Sequence, residues 1–421
     1  MRPEGERLVS TNDPVFQPIK IGALTAQNRF VINAMECCDG DAEGNPTEKT
    51  YRRYRNLFEG GAGLIDLEAI TVQWESRSRQ FQLSVMLRNQ KALTKMVEEM
   101  RKINPKPLLV MQLTHSGELS SPDFSKRVCV KPLPGFGGEV IDEAYVEKTI
   151  EQFVGAAKIA RDCGADGIDF KNCHGYLDSQ ILRPYNDRKW KYGGPWENRT
   201  RFTYAIYEKI QKEINDPKFI VGSKVSIWEG FPGGQGSAGP DSPIMDIRES
   251  LDLVKGMEAR GGKFIIVSSG SPSITLALSQ PDKKVPDDCY LHFTFQKAVR
   301  DALKPETVVI GSAYSVLNNG KNELQARNKE ENTLWYWANR NIRDKVTDMV
   351  AIGRQSLADG QLPRKFIEGR EKEIKWCNAC DDCIELLIRQ KNVGCVTHDK
   401  EYNKALRAIR DAEGALAAKR T

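Results

Sequence analysis

Eight short apolar runs, each followed by a stretch of helical pattern, constrain this chain more than any other feature of its sequence. They are RFVINAM (29–35), GLIDLEAITV (63–72), PLLVMQL (107–113), DGIDF (166–170), FIVGSKVS (219–226), KFIIVSSG (263–270), TVVIGS (307–312) and DMVAIGR (348–354). The runs are continuous rather than alternating, which suits strands covered on both faces, as in a parallel sheet. The segments between them carry helical spacing. From Tyr145 to Cys163, for example, Val146, Ile150, Phe153, Ala157 and Ala160 fall on one face. Eight strand–helix repeats predict an α/β fold, a (β/α)8 TIM barrel within residues 1–370. A doubly wound sheet is the competing arrangement, and the lack of G-x-G-x-x-G after the first run argues against it. Residues 371–421 read as an extension: a charged linker (REKEIK), a cysteine-rich segment, and a helix from Lys400 to Lys419 with one apolar stripe.

The 421 residues are 40% apolar and 28% charged, with a net charge of +5 spread over interleaved acids and bases. A charge so small and mixed gives no reason to expect nucleic acid or a membrane surface as partner. No apolar run approaches the ~20 residues of a membrane span, and the polar start MRPEGERLVSTNDPVFQPIKIG has no signal-peptide core. The expected location is the cytoplasm, where most of the ten cysteines would be reduced thiols. Oligomeric state stays open.

In a TIM barrel the chemistry gathers at the carboxyl ends of the strands. The fourth run leads directly into Lys171, His174 and Tyr176. The loops after the seventh and eighth runs begin Gly311-Ser312 and Gly353-Arg354. Barrels often bind phosphate at these two loops, where glycine lets backbone N–H groups close on an anion and an arginine adds charge. Two long connections, 114–143 and 271–288, follow the third and sixth runs and are expected to cap a pocket on the same face.

The stretch KNCHGYLDSQILRPYNDRKWKYGGPWENRTRF (171–202) resembles the signature HGYL…QFL.P..N.R.D.YGGS.ENR.RF of the old yellow enzyme family of FMN-dependent oxidoreductases. Other strand ends are similar to the family's flavin contacts. Asn33-Ala34-Met35-Glu36 matches A/S-P-M-T/C, with Glu36 as a departure at the position that tunes the flavin. Glu68-Ala69 matches an acid followed by a small flavin contact, and the stretch from Gln112 to Gly117 matches QLxHAGR, where the glutamine bonds the flavin pyrimidine. Lys224 stands where the family has an arginine that stabilises the reduced flavin, and residues 352–365 match GRxxLADPxLPxK. The resemblance implies that Ala34, Met35, Glu36, Ala69, Gln112, Lys224, Gly311, Ser312, Gly353 and Arg354 hold FMN.

The resemblance also implies a reaction. Hydride passes from reduced flavin to the C=C bond of an α,β-unsaturated carbonyl or carboxylate. Lys171 and His174 would bind the substrate oxygen, and Tyr176 would donate the proton. Lys171 replaces a histidine, and an ion pair with Glu36 or Asp169 is its structural alternative. The run Tyr192-Gly193-Gly194 with Glu197-Asn198-Arg199 reads as loop-shaping. An oxidative amine N-demethylase and a non-catalytic flavin/iron–sulfur electron-transfer subunit are the alternative functions.

Cys377, Cys380, Cys383 and Cys395 form C-x2-C-x2-C-x11-C, a metal-site spacing, since three thiols in one short loop cannot all find local disulfide partners. It resembles the C-x2-C-x3-C-x11-C that binds [4Fe–4S] in the 2,4-dienoyl-CoA reductase and trimethylamine dehydrogenase branch of the family. A four-thiolate zinc site and four reduced thiols are the other readings. That branch carries nucleotide-binding domains after the cluster, where this sequence ends. The expected electron donor is therefore NAD(P)H acting directly, or a separate electron-transfer protein.

Overall fold

The computed structural model describes residue 10 and residues 12–282, 286–317 and 333–418. Eight parallel strands close into a barrel: β1 (Phe30–Ile32), β2 (Leu64–Thr71), β3 (Leu108–Thr114), β4 (Gly167–Asn172), β5 (Ile220–Ser226), β6 (Phe264–Ser268), β7 (Val308–Gly311) and β8 (Met349–Ile352). Each strand pairs with its neighbours in sequence, and β8 returns to β1 through Val350↔Phe30 and Ile352↔Ile32. Six strands fall inside the expected apolar runs, β3 runs one residue beyond its run to Thr114 and β4 two residues beyond to Asn172, and helices cover the outside, as in a (β/α)8 barrel.

Period-two alternation decides what each strand sends inward. Val31, Leu64, Val110, Ile220, Ile266 and Ile310 belong to one apolar cluster inside the barrel. Their neighbours, such as Ile32, Ile65, Leu109 and Val221, pack outward against the helices in a second, larger cluster. An antiparallel hairpin (Ile19–Ile21 with Leu24–Ala26) adds Ile21 and Ala26 to the inner cluster and so plugs the amino-terminal end. Further along the same inward face the residues turn polar: Asn33, Asp66, Gln112, Asp169, Lys224, Ser268 and Ser312, all buried. One parity therefore builds an apolar floor at one end of the barrel and a polar site at the other.

The helix expected over Tyr145–Cys163 runs from Glu143 to Asp162, because the Asp142 carboxylate accepts the Tyr145 N–H at 2.8 Å and caps its start. Its apolar face is buried as the spacing requires. In the extension, helices Asp382–Ile388 and Lys400–Ala418 bring Leu386, Val393, Tyr402 and Leu406 into a third cluster with Cys37, just past β1. The Val393 N–H donates to the Cys37 carbonyl at 2.9 Å, and Gln390 Nε2 donates to the Ser78 carbonyl at 3.1 Å. The extension thus packs on the rim that carries the polar residues. Lys419, residues 1–9 and 11 of the polar start, and residues 283–285 of the 271–288 connection lie outside the described residues. Among the described residues, no helix is long and apolar enough to cross a membrane.

Candidate active site

A cavity of about 380 Å³ opens at the carboxyl ends of the strands. Ala34, Met35 and Glu36 line it beyond β1, and His174 and Tyr176 beyond β4. Lys224 lines it on β5, Ser268 on β6, Ser312 beyond β7, and Gly353 and Arg354 beyond β8. Pro272 to Pro281 from the connection after β6 form one wall, with Leu119 from the connection after β3. The extension adds Cys383, Leu387, Ile388 and Val393. Nine of the thirteen residues expected to be catalytic or flavin-binding thus share one space. Lys171, Ala69, Gln112 and Gly311 stand behind its lining. Gly311 sits so close to Gln296 that a Cβ would meet its Oε1 at 2.2 Å.

The chain leaves β4 through two left-handed residues, His174 (φ 64°) and Gly175 (φ 76°). A left-handed backbone is unusual for histidine, and this turn sets both its ring and that of Tyr176 at the cavity wall. The Tyr176 hydroxyl donates to Glu36 Oε2 at 3.1 Å. Ser78 Oγ lies 3.3 Å from that hydroxyl and donates to Glu36 Oε1 at 3.1 Å. Under the same ring, Lys171 Nζ sits 3.5 Å from the centroid, a cation–π contact. It forms no ion pair with Glu36 or Asp169 and does not reach the lining. Burial and the Glu36 carboxylate push the Tyr176 phenol up, against the opposing pull of Lys171 and Arg79. Tyr176 is therefore held protonated. Burial opposes the charge on Lys171, but the fields of Tyr176 and Glu36 outweigh it and hold the ammonium above its ordinary range.

His174 Nε2 lies 3.0 Å from Ser268 Oγ. Burial first, then the nearby Lys224 and Lys171, drive its pKa well below the ordinary value, so the ring is neutral. Lys224 Nζ makes no hydrogen bond to any described residue, while its backbone N–H donates to Asp169 Oδ1 at 2.6 Å. Gln112 Nε2 donates to the other Asp169 oxygen at 2.6 Å. One of the two Nε2 hydrogens of Gln112 is therefore engaged by Asp169. Burial raises the pKa of both Asp169 and Asp66, and the two carboxyls lie close enough that the charge of Asp169 pushes Asp66 up further.

Arg354 donates to Asp381 Oδ1 at 2.5 Å and to the Pro281 carbonyl at 2.7 Å, tying the expected phosphate site to the cysteine loop. That loop curls through two left-handed residues, Ala379 and Asp381. Cys383 lines the cavity, and the fields of Cys377 and Cys380 reach both Cys383 and Cys395. The donor chemistry suits a four-thiolate centre. Among the described residues, however, no three such side chains are gathered closely enough to hold one metal ion. Tyr192 to Arg199 stays outside the cavity. Arg199 bonds the Leu182 and Gly194 carbonyls at 2.6 and 3.0 Å, in keeping with loop-shaping.

The polar residues of the lining that carried no expectation from sequence include Ser268, Arg79 and His292. Ser268 falls at the end of the sixth run, where strand position alone points to it. Arg79 lies in the loop after β2, and His292 on the helix Pro286–Ala302. His292 Nε2 bonds the Leu278 carbonyl at 2.8 Å, and its Nδ1 is buried without a partner. Burial lowers its pKa to about 4. It is one of four histidines in the chain, a scarcity that is the one sequence signal for it.

A family model described as the NADH:flavin oxidoreductase / NADH oxidase family matches residues 14–260. The N,N-dimethylglycine/sarcosine dehydrogenase of Chromohalobacter salexigens is 24% identical over 93% of this chain and 54% of its own length. The cinnamate reductase of Clostridium sporogenes is 26% identical over 92% of this chain and 58% of its own. The chain thus spans about half the length of the curated relatives it matches. A solved 2-naphthoyl-CoA reductase complex shares the fold, with a TM-score of 0.77 and 19% identity over 93% of this chain and 57% of that one. The barrel, the polar strand ends and the match over most of the barrel lead to one conclusion: the chain belongs to the NADH:flavin oxidoreductase / NADH oxidase family, the family of the old yellow enzymes.

Proposed function

We propose that this protein is an FMN-dependent ene-reductase, which reduces the C=C bond of an α,β-unsaturated carbonyl or carboxylate compound with Tyr176 as the proton donor. The observation that carries this reading is Tyr176 itself. It is a protonated phenol at the wall of the cavity, its hydroxyl held by Glu36 and Ser78, with a lysine ammonium under its ring.

The residues present suit FMN. Asn33 Oδ1 and His292 Nδ1 are buried without partners on the cavity side of the barrel, and Lys224 offers a free ammonium. At Gly353 a Cβ would come within 3.1 Å of Met35 Sδ, so the close approach of these two strand ends favours glycine. Ser312, Gly353 and Arg354 would hold the phosphate, with Ala34, Met35 and Lys224 beside the ring system. When bound, FMN supplies the hydride.

The chain's own residues do the rest. His174 is neutral and carries one ring N–H. In the tautomer in which the Ser268 hydroxyl donates to Nε2, that proton sits on Nδ1, available to a substrate oxygen. A donor already aimed at the oxygen where charge develops lowers the barrier. Tyr176 gives its proton to the carbon next to the activating group, and Lys171 stabilises the tyrosinate that remains. Lys171 thus acts through Tyr176 rather than on substrate. NAD(P)H or a reduced electron-transfer protein would recharge the flavin.

The test separates the two half-reactions by anaerobic stopped flow. Tyr176→Phe should slow alkene-driven flavin reoxidation by about 100-fold or more, with flavin reduction by the donor unchanged. Equal slowing of both half-reactions would end the proton-donor assignment. Flavin reduction by a secondary or tertiary amine, without alkene turnover, would favour the oxidative N-demethylase reading. Flavin with neither reaction would favour an electron-transfer subunit.

A further inference from the structure

The reading above leaves one cation of the cavity without a task. Arg79 lines the cavity beside Glu36 and Tyr176, with its side chain 22% exposed. Its guanidinium makes no hydrogen bond to any described residue, and Nε is buried without a partner. It forms a loose ion pair with Glu36, whose Oε2 lies 3.7 Å from Nε, beyond hydrogen-bond reach. That carboxylate is already taken by the Tyr176 and Ser78 hydroxyls. The fully buried Arg183, by contrast, bonds both Glu118 and Glu229, at 2.6 and 2.8 Å. A guanidinium has five donors and no acceptor, and at this cavity wall the donors of Arg79 are open to a ligand that supplies oxygens.

The surroundings specify what that something is. Glu36 is the one carboxylate of the lining among the described residues, against Arg79, Lys224 and Arg354, with Lys171 just behind. His174 and His292 are both neutral. Arg354 bonds Asp381 and Pro281 and is assigned above to the flavin phosphate, which leaves Arg79 as the lining arginine open to a substrate. The planar fork of a guanidinium fits a carboxylate in a two-point contact. The mouth of the same cavity is apolar: Leu276 is 40% exposed and Ile388 68% exposed. Such a mouth suits a hydrocarbon body rather than an inorganic anion or a sugar.

We propose that Arg79 is the specificity residue of this site and binds the carboxylate of an apolar unsaturated carboxylic acid, whose hydrocarbon end lies toward Leu276 and Ile388. Pairing with Arg79 draws charge from a carboxylate, which by itself activates a double bond poorly. The substrate assignment rests on the C=C reading above; the carboxylate site does not.

The experiment is calorimetric titration of the FMN-loaded protein with hexanoate and with its neutral counterpart hexanamide, for wild type, Arg79→Met and Arg79→Lys. Flavin content confirms that each variant is folded. Arg79→Met should weaken hexanoate binding by about 10- to 100-fold and leave hexanamide unchanged. Arg79→Lys should fall between, keeping charge without the fork. Wild type binding both compounds equally, or Arg79→Met losing both equally, would overturn the proposal. Turnover of 2-hexenoate by wild type is measured alongside. Hexanoate discrimination without that turnover would uphold the carboxylate site and overturn the unsaturated-acid assignment.

Discussion

Burial and the Glu36 carboxylate keep the Tyr176 proton in place, while Lys171 under the ring and Arg79 nearby favour its release. A proton donor needs both tendencies. It must hold its proton at working pH and yet leave a tolerable anion behind. The histidines follow a simpler rule. His115 Nδ1 accepts the Gly117 N–H at 3.1 Å and its Nε2 lies 2.9 Å from the Tyr145 hydroxyl, and burial lowers its pKa to about 3. The folded ring stays neutral as pH falls, while the unfolded ring takes up a proton below its ordinary value of 6.5. The unfolded state therefore binds more protons, and stability is lost as pH falls from about 6.5 toward about 3. His115 should contribute a loss of about 2 kcal/mol between pH 7 and pH 5. Urea unfolding of wild type and His115→Gln at both pH values checks this. The variant should lose that much less stability, and identical pH dependence would contradict the assignment.

At the scale of elements, the strands were legible because each is covered on both faces and so reads as an unbroken apolar run. The polar strand ends were legible as well, since Asn33, Lys224 and Ser312 interrupt those runs at their carboxyl ends. Arg79 and His292 were not. They reach the cavity from a loop and a helix, and no strand register points to them. The contact of Lys171 with the ring of Tyr176 depends on how the chain turns through His174 and Gly175, which spacing does not convey. The cysteine loop is the reverse case. Its spacing suggests a four-thiolate centre, while the side chains stand apart in the folded chain. Metal analysis of anaerobically purified protein decides between these. A cubane would bring about four irons per chain, and Cys383→Ala should remove iron while FMN remains. Iron unchanged by that substitution would refute the ligand set.

For the whole molecule, the barrel and its extension make a single site. The extension closes one side of the cavity with Leu387, Ile388 and Val393, and Asp381 engages Arg354 across the boundary. Lys49 and Arg52, on the first barrel helix (Glu48–Gly60), pair with Glu401 at 2.8 and 2.9 Å and hold the last helix in place. Relatives of this family include both reductases and dehydrogenases, so the barrel alone does not choose the direction of electron flow. In the proposed reading the cavity lining makes that choice: a protonated phenol, an arginine 3.7 Å from Glu36 and a single carboxylate favour an electron-poor alkene over a cationic amine.

The most direct measurement is a single-turnover experiment on anaerobically purified protein, with released flavin assayed on the same sample. The account predicts stoichiometric FMN that, once reduced, is reoxidised by 2-hexenoate in the absence of oxygen. Protein that retains no FMN, or reduced FMN left untouched by the alkene, would contradict it.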